Sequence, residues 1–209
     1  MPSRRSLLHS VGAGLAVGFA GCAGVDLSNP TETTTADGSW GHVRPEDSPS
    51  VVPDALVCQE EPLQRPAPRD GVNWGTADYN DTADALGLRV ETTEYALGDT
   101  VKIRMYNLSE ADHGTRTREE FLMQLWTEAG WQTVFGYTED GPYPFTDDAV
   151  IHEPGQSLTW NISLTADGVL GQYAHPRRAR VCPALQPGRY RFVFPIGQPT
   201  LAVAFDVTA

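Results

Sequence analysis

The chain has 209 residues, with 27 acidic and 15 basic side chains and a formal net charge of −12. This balance argues against nucleic-acid binding, because a nucleic-acid interface needs a basic patch. After residue 20, no stretch approaches the roughly 18 consecutive apolar residues of a membrane-spanning helix. We therefore expect the rest of the chain to lie outside the bilayer.

The N-terminal 21 residues have the layout of an export signal. Arg4 and Arg5 form a basic pair, and the apolar run from Leu7 to Ala20 is too short to span a membrane. Small residues then precede Cys22. This layout resembles the signal of twin-arginine-exported lipoproteins, although Phe19 stands where that family usually has an aliphatic residue. The resemblance implies cleavage before Cys22, a lipid on its sulfur and an anchor at the extracellular face of the membrane. The alternative is an uncleaved helix with a chance cysteine.

The composition carries a second resemblance. Lys102 is the one lysine among the 15 basic residues. An acidic chain with so little lysine is similar to proteins of salt-loving archaea, in which salt screens the repulsion between surface charges. The alternative is an ordinary acidic secreted protein from a GC-rich genome, where codon bias replaces lysine with arginine. We favour the haloarchaeal interpretation.

Two cysteines remain once Cys22 is assigned to the lipid. Cys58 and Cys182 are an even pair in a chain that is predicted to be exported. Exported proteins form and keep disulfides, so we expect a bond between them. The alternative is two unpaired buried thiols.

Two segments precede the predicted domain. Residues 22–50 are rich in Thr, Ser, Asp, Gly and Pro, and they predict a disordered tether because they hold too little apolar surface to fold. Residues 51–84 are also rich in proline and predict an extended segment that packs on the domain. Within it, Val51–Val52 and Leu56–Cys58 are expected to form a short edge strand, with Trp74 as a packing anchor.

From residue 85 to 209, apolar and polar residues alternate with a period of two, which is typical of half-buried strands. The alternation predicts strands at residues 86–90, 101–106, 121–126, 131–135, 149–153, 157–164, 190–194 and 201–207. Long loops are expected at residues 109–120, 136–148 and 166–187. Seven to eight antiparallel strands with turns between them predict an all-β sandwich.

One short motif refines this fold class. Leu185 to Tyr190 resembles the tyrosine corner of Greek-key sandwiches, and with Glu94 to Val101 it is similar to prokaryotic immunoglobulin-like domains. The resemblance implies that the hydroxyl of Tyr190 bonds to a backbone group just upstream, in or near residues 182–187. Arg189 falls on the outward face of the same strand, where we expect it to contribute little to stability.

The sequence contains no recognisable metal-binding or catalytic pattern. The histidines of the mature chain are widely spaced, and we expect separate surface residues: His42, His113, His152 and His175. Blue-copper carriers are similar in size and export route, but they place a histidine and a methionine after their cysteine, and none follows Cys182. No nucleophile elbow or phosphate loop is present. We therefore predict no enzyme activity, no metal and no cofactor.

Loop 136–148 is the one loop that suggests recognition. Its aromatic residues Tyr137, Tyr143 and Phe145 either form a binding site or fold back onto the sheet, and the sequence leaves both interpretations open. The acidic residues of the same loop are expected to be solvated: Glu139, Asp140, Asp147 and Asp148.

Three asparagines fit the acceptor pattern for N-glycosylation: Asn80, Asn107 and Asn161. Anchor, tether and sandwich together suggest a non-enzymatic binding or scaffold module of the cell envelope, with other envelope or secreted proteins as partners. Two alternatives remain open. One is an inhibitor or chaperone of secreted enzymes, since some bacterial proteinase inhibitors resemble this strand pattern. The other is a metal or electron carrier with an unrecognised site.

Overall fold

In the computed structural model, residues 40–59, 63–79, 82–137, 148–196 and 200–209 are described. All of them belong to one compact unit, Thr31–Ala209. The predicted export signal, with Arg4, Arg5 and Cys22, lies outside the described residues.

The described residues form fourteen strands and one short helix. The strands are β1 (Asn73–Trp74), β2 (Thr76–Tyr79), β3 (Thr82–Val90), β4 (Glu94–Ala96), β5 (Thr100–Asn107), β6 (His113–Thr115), β7 (Leu122–Thr127), β8 (Gly130–Thr133), β9 (Phe135–Tyr137), β10 (Val150–His152), β11 (Ser157–Ser163), β12 (Ala179–Val181), β13 (Gly188–Pro195) and β14 (Thr200–Thr208). The helix is α1 (Ala166–Gly171). The predicted all-β class is confirmed.

Two sheets form the body of the sandwich. The first has the order β11-β5-β3-β2 and is antiparallel throughout. The second has the order β1-β14-β13-β7-β8, and its four central and outer strands β14, β13, β7 and β8 are antiparallel. The short strands β1 and β4 both join β14 in parallel, a pairing that the sequence did not predict. The immunoglobulin-like Greek-key assignment stays a prediction.

The core lies between these two sheets, where the alternating apolar residues of both meet. Trp160 of β11 is fully buried, and its ring centroid lies 4.9 Å from those of Phe192 and Phe194 of β13. Alternation in the sequence predicted these inward faces because every second residue of a strand points to the same side. Burying side chains of this size stabilises the fold by roughly 1.5–3 kcal/mol each.

Several predicted loops contain short regular elements. Strand β6 lies in the predicted loop 109–120 and pairs with β10, while β9 pairs with β12. Elements of three residues contain too few alternations for a period to be read. Helix α1, in the predicted loop 166–187, begins after Thr165, whose hydroxyl accepts a 3.0 Å hydrogen bond from the backbone N–H of Gly168. That cap offsets a weak helical sequence.

The predicted tether is wrong for its last residues. The backbone of His42 exchanges two hydrogen bonds with Val90, at 2.7 and 2.9 Å, and the carbonyl of Val43 accepts one from Ala204 at 2.8 Å. Strand β2 pairs with β3 only as far as Gly87, so the backbone of Val90 needs another partner. His42 supplies it, and residues 40–43 are ordered against the sheets as a result.

The predicted proline-rich segment 51–84 contacts the domain, but its last part belongs to the sheets themselves as β1, β2 and the start of β3. Val51, Val52 and Val57 are exposed, and no strand is present at residues 51–58. Instead the segment is held by single hydrogen bonds, such as the one from the backbone N–H of Leu56 to Oε1 of Gln132 at 2.6 Å. Proline removes the backbone donors that a regular ladder would need.

The predicted Cys58–Cys182 disulfide is present, with Cα atoms 5.7 Å apart. The side chain of Arg65 fastens the same region, because Nη1 donates to the carbonyl of Thr133 at 2.7 Å. Its Nη2 donates to the carbonyl of Cys182 and lies 3.2 Å from the sulfur of Cys58. The covalent bond and the guanidinium together hold the N-terminal segment on the domain.

The predicted tyrosine corner is also confirmed. Tyr190 is fully buried, and its hydroxyl donates to the carbonyl of Gln186 at 2.7 Å and accepts from the N–H of Gln186 at 3.1 Å. Arg189 is not the neutral surface residue that the sequence predicted. Its Nε and Nη2 each bond to a carboxylate oxygen of Asp206 at 2.8 Å, because the two residues are directly opposed on β13 and β14.

Candidate functional site

The candidate glycosylation sites separate once the fold is known. Asn107 is 1% exposed, and its Nδ2 donates to the carbonyls of Ala111 and His152 at 2.7 and 3.0 Å. A glycan would have to replace one of these buried bonds, so the folded domain does not offer Asn107 for modification. Asn161 is exposed on β11, and its modification stays a prediction. Asn80 lies outside the described residues.

Two histidines expected at the surface are buried. His113 and His152 are directly opposed on β6 and β10 and are 3% and 4% exposed. His152 Nε2 lies 2.8 Å from the hydroxyl of Thr115, and His113 Nε2 lies 2.7 Å from that of Ser109. Burial lowers the pKa of His152. The prediction failed because it treated residues 109–120 as an open loop, whereas β6 and β10 form a two-stranded sheet there.

The structure answers the question about loop 136–148 for Tyr137 only, since Tyr143 and Phe145 lie outside the described residues. Tyr137 is buried, and its hydroxyl bonds to that of Tyr173. The ring of Tyr173 in turn packs 4.5 Å from that of Phe135. Burial raises the pKa of Tyr137 above its usual range. Tyr137 therefore packs against the domain and does not present its ring to a ligand.

The described part of the chain has neither a cluster of metal ligands nor a membrane-spanning helix. No group of three or more His, Cys, Asp or Glu side chains lies close enough there to hold a metal ion. The helices of that same part include none with the length and apolar character needed to cross a bilayer.

The outer face of the second sheet carries an unexpected set of polar and aromatic side chains. Residues directly opposed in neighbouring strands share one face of a sheet. Trp126 of β7 is opposed to Trp131 of β8, while Gln124 is opposed both to Thr133 of β8 and to Arg191 of β13. Their sequence neighbours Met123, Leu125, Tyr190 and Phe192 point into the core. Three strands thus place an aromatic pair beside a row of polar groups.

A third tryptophan reaches this face from the N-terminal segment. Trp74 lies on β1, which pairs in parallel with the edge of β14. Gly75 follows with φ +76°, a conformation that glycine adopts without strain, and the chain then continues as β2 in the other sheet. This crossover fixes Trp74 at the sheet edge. Its ring centroid lies 6.5 Å from that of Trp131, which lies 5.2 Å from that of Trp126.

These side chains line an open cleft of about 590 Å³, which we name the Trp–Arg cleft. Its walls are the half-buried rings of Trp74, Trp126 and Trp131 with the guanidinium of Arg191. Its rim is formed by residues 68–72 and by the β7–β8 turn at Ala129–Gly130. The size lies within the range of small-molecule sites, which often have aromatic walls with a few placed polar groups; here Arg69, Asp70 and Arg191 add charged groups to the aromatic walls.

Arg191 is the most unusual residue of the cleft. It is 4% exposed, and its guanidinium carbon lies 4.5 Å from the ring centroid of Trp131. Nε donates to Oε1 of Gln124 at 2.7 Å, and Nη2 donates to the carbonyl of Arg69 at 2.9 Å. Burial lowers the pKa of Arg191 to about 10, against the opposing influence of the Asp70 charge. The side chain therefore stays charged at neutral pH.

A buried polar network fixes the position of this guanidinium. Nε2 of Gln124 donates to the hydroxyl of Thr133 at 3.2 Å, and that hydroxyl donates to the carbonyl of Pro66 at 2.9 Å. Gln124 and Thr133 are almost fully buried. Each member of this network has a partner, so the network locks both the side chain of Arg191 and the proline-rich segment that covers it.

Sequence reasoning did not identify the Trp–Arg cleft. The available signal was the outward position of Arg191 between the inward Tyr190 and Phe192, together with Trp126 and Trp131 on either side of a predicted turn. An outward arginine is ordinary on a sheet exposed to solvent, so its position alone does not indicate a binding site. The missing information was that residues 51–59 and 63–74 cover this face and turn outward positions into the walls of a cleft.

Comparisons with known proteins give no family. The chain matches no family model and no curated protein. A β-glucosidase from Erythrobacter marinus aligns with a TM-score of 0.32 and 11% identity over 59% of this chain and 15% of its own. A β-glucosidase from Listeria innocua in complex with gluconolactone aligns with a TM-score of 0.32 and 14% identity over 73% of this chain and 22% of its own. The chain spans less than a quarter of either enzyme, and likenesses this weak carry no argument about its activity.

Proposed function

We propose that the protein is a non-enzymatic binding module held at the extracellular face of the cell membrane by a lipid on Cys22. The observation that carries the binding role is the Trp–Arg cleft, in which three half-buried indoles and a buried guanidinium are held rigidly by the second sheet. Rigid aromatic side chains bind ligands at low entropic cost. The layout of residues 1–22 supports the anchor, and the acidic, lysine-poor composition supports a haloarchaeal setting.

The binding role is tested by retention of envelope components. The purified full-length protein is immobilised and exposed to a detergent extract of the cell envelope, in parallel with Trp131→Ala and Trp40→Ala. Trp40 is a matched control because it too packs under an arginine, with Arg104 4.8 Å from its ring centroid, but it contacts Tyr106 on the first sheet. We expect the cleft variant alone to lose the retained material.

Each outcome of that experiment has a defined meaning. Retention that is unchanged in Trp131→Ala would contradict a binding role for the Trp–Arg cleft. Retention of a secreted protease, lost with the cleft, would identify an inhibitor or chaperone in place of a scaffold. A stoichiometric metal in the purified protein would favour the carrier alternative.

The anchor is tested separately by Cys22→Ser. Without the sulfur no lipid can be attached, so we expect the variant in the medium or as an uncut precursor. A variant that is cut normally and stays in the membrane fraction would contradict lipid anchoring. The twin-arginine pair is tested by Arg4→Lys with Arg5→Lys, which keeps the charge and is expected to stop export.

A further inference from the structure

Among the described residues no carboxylate bonds directly to Arg191, and the charge of Asp70 acts on it only from the rim of the cleft. Across the ranges that the structure describes, the guanidinium bonds only to the neutral oxygens of Gln124 and Arg69, and no carboxylate forms an ion pair with it. Buried charges in proteins are normally paired, because desolvation of an isolated charge is costly. Arg191 is 96% buried and yet lines an open cleft, so an anion that enters the cleft could pair with it.

The aromatic walls restrict the kind of anion. The half-buried indoles of Trp126 and Trp131 meet at 63°, and Trp74 is tilted by 49° from Trp131, so the cleft offers more than one ring face. Such faces bind flat groups with apolar C–H or ring surfaces. A small inorganic anion would pair with Arg191 and leave these walls uncovered.

The same walls argue against a cationic ligand. Guanidinium groups already lie over two of the rings, with Arg191 over Trp131 and Arg44 5.4 Å from the ring centroid of Trp74. A cationic ligand would be repelled by both guanidinium groups. A neutral ligand would stack but would leave the guanidinium of Arg191 without a direct ion pair. A ligand that both pairs with Arg191 and stacks on the indoles carries an anionic group on a flat, partly apolar body.

The rim adds a third requirement. Asp70 is exposed beside the cleft and can accept hydrogen bonds from hydroxyl groups, while its charge disfavours a second carboxylate on the unit that occupies the cleft. A hydroxyl-rich body with a single carboxylate per unit fits both groups. Building on the proposed function, we propose that the Trp–Arg cleft binds the carboxylate-bearing sugar units of an acidic glycan. The sugar ring stacks on the indoles, and its carboxylate pairs with Arg191.

The test compares three probes on the wild-type full-length protein at one fixed high salt concentration. They are tetragalacturonate, the uncharged galactose tetramer of the same linkage, and tetraglutamate. Binding is followed by calorimetry and by tryptophan fluorescence. We expect tetragalacturonate to bind at least about tenfold more tightly than either of the other two, because only it supplies both stacking and a carboxylate. Equal binding of the uncharged sugar, or tighter binding of tetraglutamate, would overturn the assignment.

Variants then separate the two contacts. Arg191→Gln should weaken tetragalacturonate binding by about tenfold or more and the uncharged tetramer by a clearly smaller factor, whereas Trp126→Ala should weaken both to a similar extent. Trp40→Ala is the matched control and should change neither. If Arg191→Gln does not fold, the three-probe comparison on the wild-type protein still decides the proposal. Cleft-dependent retention of envelope material without preference for the acidic sugar would overturn the sugar assignment but leave the binding function intact.

Discussion

Replacing Tyr190 with phenylalanine tests the tyrosine corner directly. Phenylalanine keeps the buried ring, which stacks 6.0 Å from Phe205, and removes only the hydroxyl. The change leaves both the N–H and the carbonyl of Gln186 without their partner. Two hydrogen bonds of ordinary strength are worth about 1–3 kcal/mol. Gln186 is only partly buried, so water can reach these groups, and we expect a loss of about 1–2 kcal/mol in the free energy of unfolding.

The matched control is Tyr95→Phe. Tyr95 is also buried against Phe205, but its hydroxyl accepts one longer hydrogen bond, 3.2 Å from the N–H of Thr92. Because only one weaker hydrogen bond is lost, we expect the free energy of unfolding to fall by about 0.5 kcal/mol. Both variants are compared with the wild type by urea unfolding at fixed high salt, with the disulfide intact. Equal losses in the two variants, or no loss in Tyr190→Phe, would refute the claim that the corner contributes specifically to stability.

The Arg189–Asp206 pair, the disulfide and the hydroxyl of Tyr190 can each be tested by unfolding experiments. Arg189→Ala should lower the free energy of unfolding by about 0.5–1.5 kcal/mol, because its two-point pair with Asp206 is partly buried, and Asp206→Asn should lower it similarly in the same unfolding assay. Reduction of the Cys58–Cys182 bond, which spans 124 positions, should lower the free energy of unfolding by at most about 5 kcal/mol. Intact-mass measurement that finds both thiols alkylated without reductant would contradict the presence of this bond. Burial raises the pKa of Tyr190 to about 12, above its value of about 10 in the unfolded chain. The contribution of the neutral hydroxyl to the free energy of unfolding is therefore present below about pH 10 and is lost between about pH 10 and 12. A free energy of unfolding that stays constant across that pH range would contradict this.

The sequence predicted the features that depend on regular alternation. The inward faces of β5, β11, β13 and β14 are confirmed, because long strands between two packed sheets repeat their pattern several times. The corner at Tyr190 was also predictable, because it depends on a short sequence motif. The Cys58–Cys182 bond was predictable because two cysteines that remain in an exported chain usually pair. The parallel strands β1 and β4 were not predictable, because two or three residues carry no usable period.

The Trp–Arg cleft could not be predicted, for a different reason. Whether an outward residue of a strand meets solvent or a covering segment depends on long-range contacts, such as that between Thr133 and Pro66, 67 positions apart. Alternation correctly placed Arg191 on the outer face, yet that residue is 4% exposed. The same reasoning predicted that Arg189 contributes little to stability, although Asp206 lies directly opposite it on the neighbouring strand.

The covering segment also explains why a cleft exists on this face. Residues 51–59 and 63–70 are rich in proline and lack a regular ladder, so they contact the sheet through separate hydrogen bonds, from Leu56 to Gln132 and from Thr133 to Pro66. A segment held in this way cannot seal the face as a packed strand or helix would. It stops at the rim of the cleft, where residues 68–72 leave the guanidinium of Arg191 covered by protein on one side and open to a ligand on the other. Desolvation by the covering segment raises the free energy of the charged guanidinium, and the gap beside the segment leaves room for an anion to pair with it.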